Sequence, residues 1–212
     1  MKGLLITGVI TIVILFGGVI LLSKGGGNPS QPVTVNQNII VKSDSHQTKP
    51  GAKVTVVEFG DYQCPACGQA YPTVKQVKKD YGDKINFVFR NYPLSQHKFA
   101  LIAAEAAEAA NAQGKFWEMH DLLFENQTTW SIKDNPLDFF VGYAKDLSLD
   151  TNKFKKDVED NKYASFIQGD INDGNSVAIN ATPTFFVNGQ VLPGLPSYQD
   201  FKTIIDQDLA KN

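Results

Sequence analysis

The sequence predicts an α/β domain in which a long helical block interrupts the strand-forming segments. Three observations carry this. Lys53 to Phe59 is an apolar, β-branched run, and a helical stretch separates it from a second apolar run, Ile85 to Phe89, the order strand, helix, strand. Roughly 80 residues of helical pattern follow. Strand character then returns in Thr184 to Val187 and Gln190 to Leu192, which flank Asn188-Gly189, a two-residue hairpin signal.

At the N-terminus, Leu4 to Leu22 is 19 residues without a charge, with Lys2 before it and Lys24 after it. That length crosses a bilayer as a helix. It exceeds the apolar region of a cleaved signal peptide, and Ser23-Lys24-Gly25 lacks the small-x-small cleavage pattern. The expectation is an uncleaved transmembrane anchor over residues 1–23. Lys2 and the terminal amine favour a cytoplasmic N-terminus, which places the folded domain outside the cytoplasm. Residues 24–44 read as a tether, glycine-rich at its start. Within it, Val33-Thr34-Val35 and Ile39-Ile40-Val41 can form a short edge strand. Ser43 to Gly51 is polar and reads as a loop. The folded domain is expected over 45–212, with its helical insertion at about 96–178.

The strand at 53–59 is nearly apolar throughout, as strands covered on both faces are. Gly60 to Gln63 is a turn. Cys64-Pro65-Ala66-Cys67 then opens a helical stretch to about Tyr81. Pro65 suits the first helical position, where its missing N–H costs nothing. Pro72 should kink the helix, and Gly82 can end it. The crossover to Ile85–Phe89 is long enough for parallel pairing. Ala100 to Ala112 holds eight alanines in thirteen residues, a strong helix former. Phe116, Trp117, His120, Leu123 and Phe124 continue at helical spacing. Further helical segments are expected over Asp138–Leu147 and Thr151–Ser176. After the hairpin, Ser197-x-x-Asp200 resembles a capping box, and Phe201, Ile204, Ile205 and Leu209 form the apolar face of a last helix.

Composition narrows the function. Removing Lys2 and Lys24 with the N-terminal segment leaves 18 basic residues against 22 acidic ones. A mildly acidic domain without a Lys/Arg run is a poor nucleic-acid binder, and no nucleic-acid partner is expected. Two cysteines close at most one disulfide, so the core and not a disulfide framework must hold this chain together.

Those two cysteines, Cys64 and Cys67, stand three apart at a helix start. Free backbone N–H groups and the positive end of the helix dipole favour a thiolate at the first of them. The second can reach back and close a disulfide, so Cys64 reads as the attacking or attacked sulfur and Cys67 as the resolving one. Alternatives stay open at this point. A structural zinc site needs four ligands, and His46, His97 and His120 show no paired spacing. A copper site of two cysteines and one histidine needs fewer. An inert disulfide would close only a tiny loop and stabilise little. No cofactor and no metal is expected.

Three segments together carry a family resemblance. They are Val56 to Cys67 (VVEFGDYQCPAC), Asn91 to His97 with the alanine-rich helix and Gly114 to His120, and Ala181 to Gly189 (ATPTFFVNG). In order across about 46–205, they resemble the DsbA-like thiol:disulfide oxidoreductases of the thioredoxin superfamily. The resemblance implies a thioredoxin fold with an inserted helical domain. It implies that Pro183 is the cis-proline facing the cysteines, with Thr182 presenting its backbone to a bound peptide as an added strand would. It also implies that Glu58, which strand alternation puts on the apolar face of Val54 and Val56, lies beneath Cys67 and exchanges a proton with it. A carboxyl buried there has a raised pKa; the competing reading has Glu58 turning to solvent.

The activity so implied is oxidation of reduced secreted or cell-envelope proteins by a membrane-tethered monomer, with reoxidation by a quinone-coupled membrane protein, DsbB-like or VKOR-like. Two departures matter. Pro65-Ala66 replaces the Pro-His of the strongest oxidants, which removes an imidazole donor to the thiolate and predicts a milder oxidant. Thr182 before the proline is common in isomerase and reductase relatives, so a DsbC/DsbG-like reductase or isomerase is the second reading. Those isomerases dimerise through an added N-terminal domain, for which 28–50 is too short. A copper-binding or peptide-holding module is the third. His97 and His120 read as capping or packing side chains.

Overall fold

The structure, a computed structural model, describes residues 33–211. The expected membrane anchor and the start of the tether lie outside the described residues. Among the described residues no helix is long and apolar enough to cross a membrane.

The expected α/β architecture is present. A five-stranded sheet has the order β1-β3-β2-β4-β5, with β1 His46–Gln47, β2 Val54–Gly60, β3 Ile85–Asn91, β4 Thr184–Val187 and β5 Gln190–Leu192. Strands β2 and β3 are parallel, with Glu58 opposite Phe89. Strand β4 runs antiparallel to β2, with Phe185 opposite Glu58. Both faces of β2 are covered, which is why its sequence is nearly unbroken apolar. Val54, Val56, Phe87, Phe89 and Phe185 pack into one core, and Val57, Phe59, Val88 and Phe186 into the other. Asn188 and Gly189 both take positive φ, 46° and 83°, as a two-residue hairpin turn demands. Glycine at 189 answers a second need: a Cβ there would lie 2.5 Å from the Val35 carbonyl oxygen.

Two local readings before β2 are corrected. Residues Gln37–Ile40 form a single helical turn, α1, where Ile39–Val41 was expected to be strand. Asn36 caps that turn by accepting the Asn38 N–H, and Ile40 is fully buried; the cap and one buried side chain outweigh β-branched propensity. Only the first half of the expected edge pairs. Val35 N–H donates to Gly189 O and Val191 N–H to Val33 O. The second correction concerns the polar 43–51 segment, which contains the outer strand β1, paired antiparallel with β3. His46 on β1 is buried, stacked on Phe116 with ring centroids 3.4 Å apart. Its Nε2 lies 2.7 Å from Glu108 Oε1.

Helix α2, Pro65–Tyr81, runs on past Pro72 and ends at Gly82. The insertion follows β3 as α3 Ala100–Asn111, α4 Phe116–Glu125, α5 Gln127–Trp130, α6 Leu137–Asp146, α7 Thr151–Glu159 and α8 Ala164–Ser176. The expected helix over 151–176 is two helices, because Asn161 takes φ +49° and the buried Asp157 accepts the Tyr163 hydroxyl at the break. Alanines 103, 106, 107, 109 and 110 of α3 are buried at 0% exposure. Such small side chains let α4, α6, α7 and α8 pack closely around α3. The last helix, α9 Tyr198–Ala210, starts on the expected Ser197–Asp200 capping box.

Candidate active site

Cys64 is the N-cap of α2, and Pro65 occupies its first turn. The turn before it is wired through Asp61. Asp61 O accepts the Cys64 N–H at 3.0 Å, and Asp61 Oδ1 accepts the Gln63 N–H at 2.7 Å. The Asp61 N–H points at Cys67 Sγ, 3.5 Å away. From the insertion, buried Gln127 donates Nε2 to both Tyr62 O and Cys64 O at 2.8 Å. Gly68 leaves the room this amide needs, since a Cβ at 68 would collide with it. Gln127 is thus a site residue that sequence patterning missed. Its only hint was a polar residue amid the apolar helical block.

The structure brings Thr182 and Pro183 to the cysteines. The Thr182–Pro183 bond is cis, as expected, and the Cys64 thiol donates to Thr182 O at 3.3 Å. Thr182 Oγ1 is buried without a partner in this arrangement. When Cys64 ionises it can no longer donate to the carbonyl, and the Thr182 side chain is one of the groups that favour the thiolate.

The two sulfurs are held in opposite states. Cys64 is lowered from 9.0 to about 5, first by the hydrogen bond from the Cys67 thiol. Burial opposes this, and the Thr182 side chain and the N–H groups of Cys67 and Ala66 add to it. Cys67 is pushed well up, chiefly by burial, then by donating to Cys64 and by the Glu58 charge. Cys64 keeps 6% exposure and Cys67 none, so an incoming sulfur meets Cys64. The thiolate absorbance near 240 nm of reduced protein is expected to titrate at about 5. Cys67→Ala should move that titration upward by removing its largest cause. A midpoint left in place by that change would refute the assignment.

Glu58 lies on β2, 3% exposed, which removes the solvent-facing reading. Burial lifts its carboxyl from 4.5 to about 8; Lys78 opposes this and the Cys64 charge adds to it. Lys78 Nζ itself stands 4.3 Å over the Trp117 ring. His120 is buried, with Nδ1 3.2 Å from the Tyr62 hydroxyl, and packs as expected. Phe116 is core and Trp117 packs against it. His97 does more than pack: its Nδ1 lies 2.6 Å from Asp61 Oδ2. Among the described residues, no three His, Cys, Asp or Glu side chains gather as a metal site needs, so the copper alternative finds no third ligand there.

A sheet of this order, with Cys-x-x-Cys starting the helix after its central strand and one thiol primed for exchange, defines a thiol:disulfide oxidoreductase of thioredoxin fold. The chain belongs to the thioredoxin family whose pattern matches residues 41–207. The expected DsbA-like kinship is borne out.

Among solved structures, a thioredoxin-like oxidoreductase from Silicibacter pomeroyi is 27% identical at TM-score 0.70, covering 84% of this chain and all of that one. BdbD from Bacillus subtilis, in its oxidised form, is 27% identical at TM-score 0.69, covering 85% and 98%. The α-DsbA1 of Wolbachia pipientis, 21% identical at TM-score 0.73 over 83% and 96%, supports the fold. A curated relative from Salinispora arenicola, named a Na(+)/H(+) antiporter, is 46% identical over 140 residues, 66% of this chain and 21% of that protein. One from Mycobacterium sp. strain KMS with the same kind of name is 36% identical over 168 residues, 77% and 27%. The chain thus spans about a fifth to a quarter of these relatives' length, and their names describe the much longer proteins.

Proposed function

We propose that this chain is an extracytoplasmic thiol:disulfide oxidoreductase, tethered by its apolar N-terminal segment, that introduces disulfides into secreted or cell-envelope proteins. The observation that carries the reading is Cys64 at the N-cap of α2, 3.3 Å from the carbonyl before cis-Pro183, where the Cys67 thiol and the N–H groups of the first turn hold its sulfur down, to about 5. A sulfur that is stable as thiolate leaves readily and favours the reduced pair, which makes the disulfide an oxidant.

A substrate thiolate attacks Cys64 Sγ of the disulfide. The Cys64–Cys67 bond breaks, and the electron pair leaves on Cys67. Glu58, protonated up to about pH 8, supplies the proton that buried Cys67 needs. A second substrate thiolate then attacks the substrate sulfur of the mixed disulfide, forming the product disulfide and releasing Cys64 as thiolate. The substrate has lost two electrons and the cysteine pair has gained them. Thr182 next to Pro183 offers the backbone against which an extended substrate pairs. The pair is recharged by a quinone-coupled membrane protein, DsbB-like or VKOR-like, and the chain acts as a monomer.

Ala66 and Thr182 favour the second reading, a reductase or isomerase. A redox titration against glutathione, run beside refolding of a reduced substrate protein, separates the two. The oxidase reading expects a potential well above thioredoxin's, about −270 mV, with disulfide formation in the substrate. A potential near thioredoxin's overturns it. Stoichiometric copper binding without exchange overturns both.

A further inference from the structure

We propose that His97, acting through Asp61, is a positioning residue for the resolving sulfur. Both cysteines hang on the backbone of Asp61. Its carbonyl takes the Cys64 N–H, and its N–H reaches toward Cys67 Sγ. Asp61 is 1% exposed, so its carboxylate must be satisfied by protein donors. Three supply it: the Gln63 N–H at 2.7 Å, the Leu94 N–H at 2.9 Å, and His97 Nδ1 at 2.6 Å. Of these, only His97 is a side chain. A carboxylate accepts and cannot donate, so the bond requires the proton on Nδ1.

His97 sits on the segment between β3 and α3. That segment is tied to the same turn a second time, where Gln63 Oε1 accepts the Phe99 N–H at 2.5 Å. Gln63 holds this segment by its side chain while Asp61 holds it by its carboxylate. Removing the imidazole donor leaves Asp61 Oδ2 with one partner in a buried site, and the turn must shift to recover another. The group that shifts with it is the N–H aimed at Cys67.

That N–H matters unequally to the two redox states. In the reduced pair Cys67 is a thiol that donates to the Cys64 thiolate, and an N–H on its sulfur strengthens that donation, whereas a disulfide sulfur has no proton to donate. Losing that N–H moves the equilibrium with glutathione toward the disulfide, making the protein a weaker oxidant by about three- to tenfold, the worth of one hydrogen bond. This rests on the reading of Cys64 and Cys67 as a redox pair.

The test measures the glutathione equilibrium constant and thermal stability of the wild type, His97→Leu, His97→Asn and His97→Gln. Asn places its amide nitrogen near the Nδ1 position, whereas Gln places it near Nε2. Positioning predicts a shifted constant for His97→Leu and His97→Gln and a near wild-type constant for His97→Asn. A His97→Leu protein with lowered stability but an unchanged constant overturns the proposal. So do equal constants for the Asn and Gln variants, a comparison that stands even if the Leu variant does not fold. A wild-type pair that never exchanges with glutathione sinks the redox reading and this one together; an exchanging pair indifferent to His97 sinks this one alone.

Discussion

Replacing Cys67 with serine is expected to convert a fleeting mixed disulfide into a stable one. Cys64 remains the only thiol, and the serine hydroxyl can still donate to it, so its thiolate still attacks disulfides. What disappears is the internal escape. In the wild type, Cys67 sits one helical turn on from Cys64, aligned by the same helix, and such alignment gives intramolecular groups very high effective molarities. Release from Cys67→Ser must wait for a free thiol from solution, and Cys67 is fully buried, so no other chain can take its place. Turnover should fall at least about a thousandfold, and covalent adducts through Cys64 should accumulate on non-reducing gels and in intact-mass spectra. Cys64→Ala should give no adduct, because the thiol left behind is buried and held well up in pKa. Adducts on Cys67 in that variant, or undiminished turnover of Cys67→Ser, would reverse the roles assigned to the two sulfurs.

The parts legible in the sequence are those decided within a few residues. The Asn188-Gly189 turn, the Ser197–Asp200 capping box and the Cys64-Pro65 helix start all appear where their local chemistry puts them. Glu58 was legible because strand side chains alternate: sharing a face with Val54 and Val56 was enough to bury it. The misreadings sit where distant residues decide. His46 lies in a polar stretch, yet Glu108 and Phe116, more than sixty residues on, draw it into the core. Ile39 and Ile40 carry strand propensity, but their carbonyls are taken by the Arg90 guanidinium rather than by a neighbouring strand. Gln127 and His97 look like an ordinary helix residue and an ordinary loop residue. Only the fold carries them to the cysteine turn, where one clamps its carbonyls and the other its aspartate.

Glu58→Gln should make the protein both more stable and slower. The folded chain holds the Glu58 proton up to about pH 8, while the ordinary value is 4.5. Between those limits the unfolded chain has released a proton that the folded chain keeps. Folding stability therefore falls as pH rises from about 4.5 to about 8, by up to about 1.4 kcal/mol per pH unit, and levels off above. Glutamine has no proton to lose. The variant's advantage should be absent below pH 4.5, about 3 kcal/mol at pH 7, and constant above about pH 8. For a domain of this size that is a rise in Tm of about 6–12 °C at neutral pH. Asp170 and Glu105 are also raised, to about 6 and about 7, but they are common to both proteins and cancel in the difference. The kinetic effect has the opposite sign. Without a titratable group beside it, Cys67 must exchange its proton with scarce water, and the step that breaks the disulfide should slow by about a hundredfold. Attack on free Cys64 by a small alkylating reagent, which needs no proton at Cys67, should be little changed. A variant stabilised with the expected pH profile but unaltered in disulfide reduction would leave Glu58 a buried acid with no part in the exchange. One that is slower but not stabilised would mean that the carboxyl is ionised in the folded protein at neutral pH.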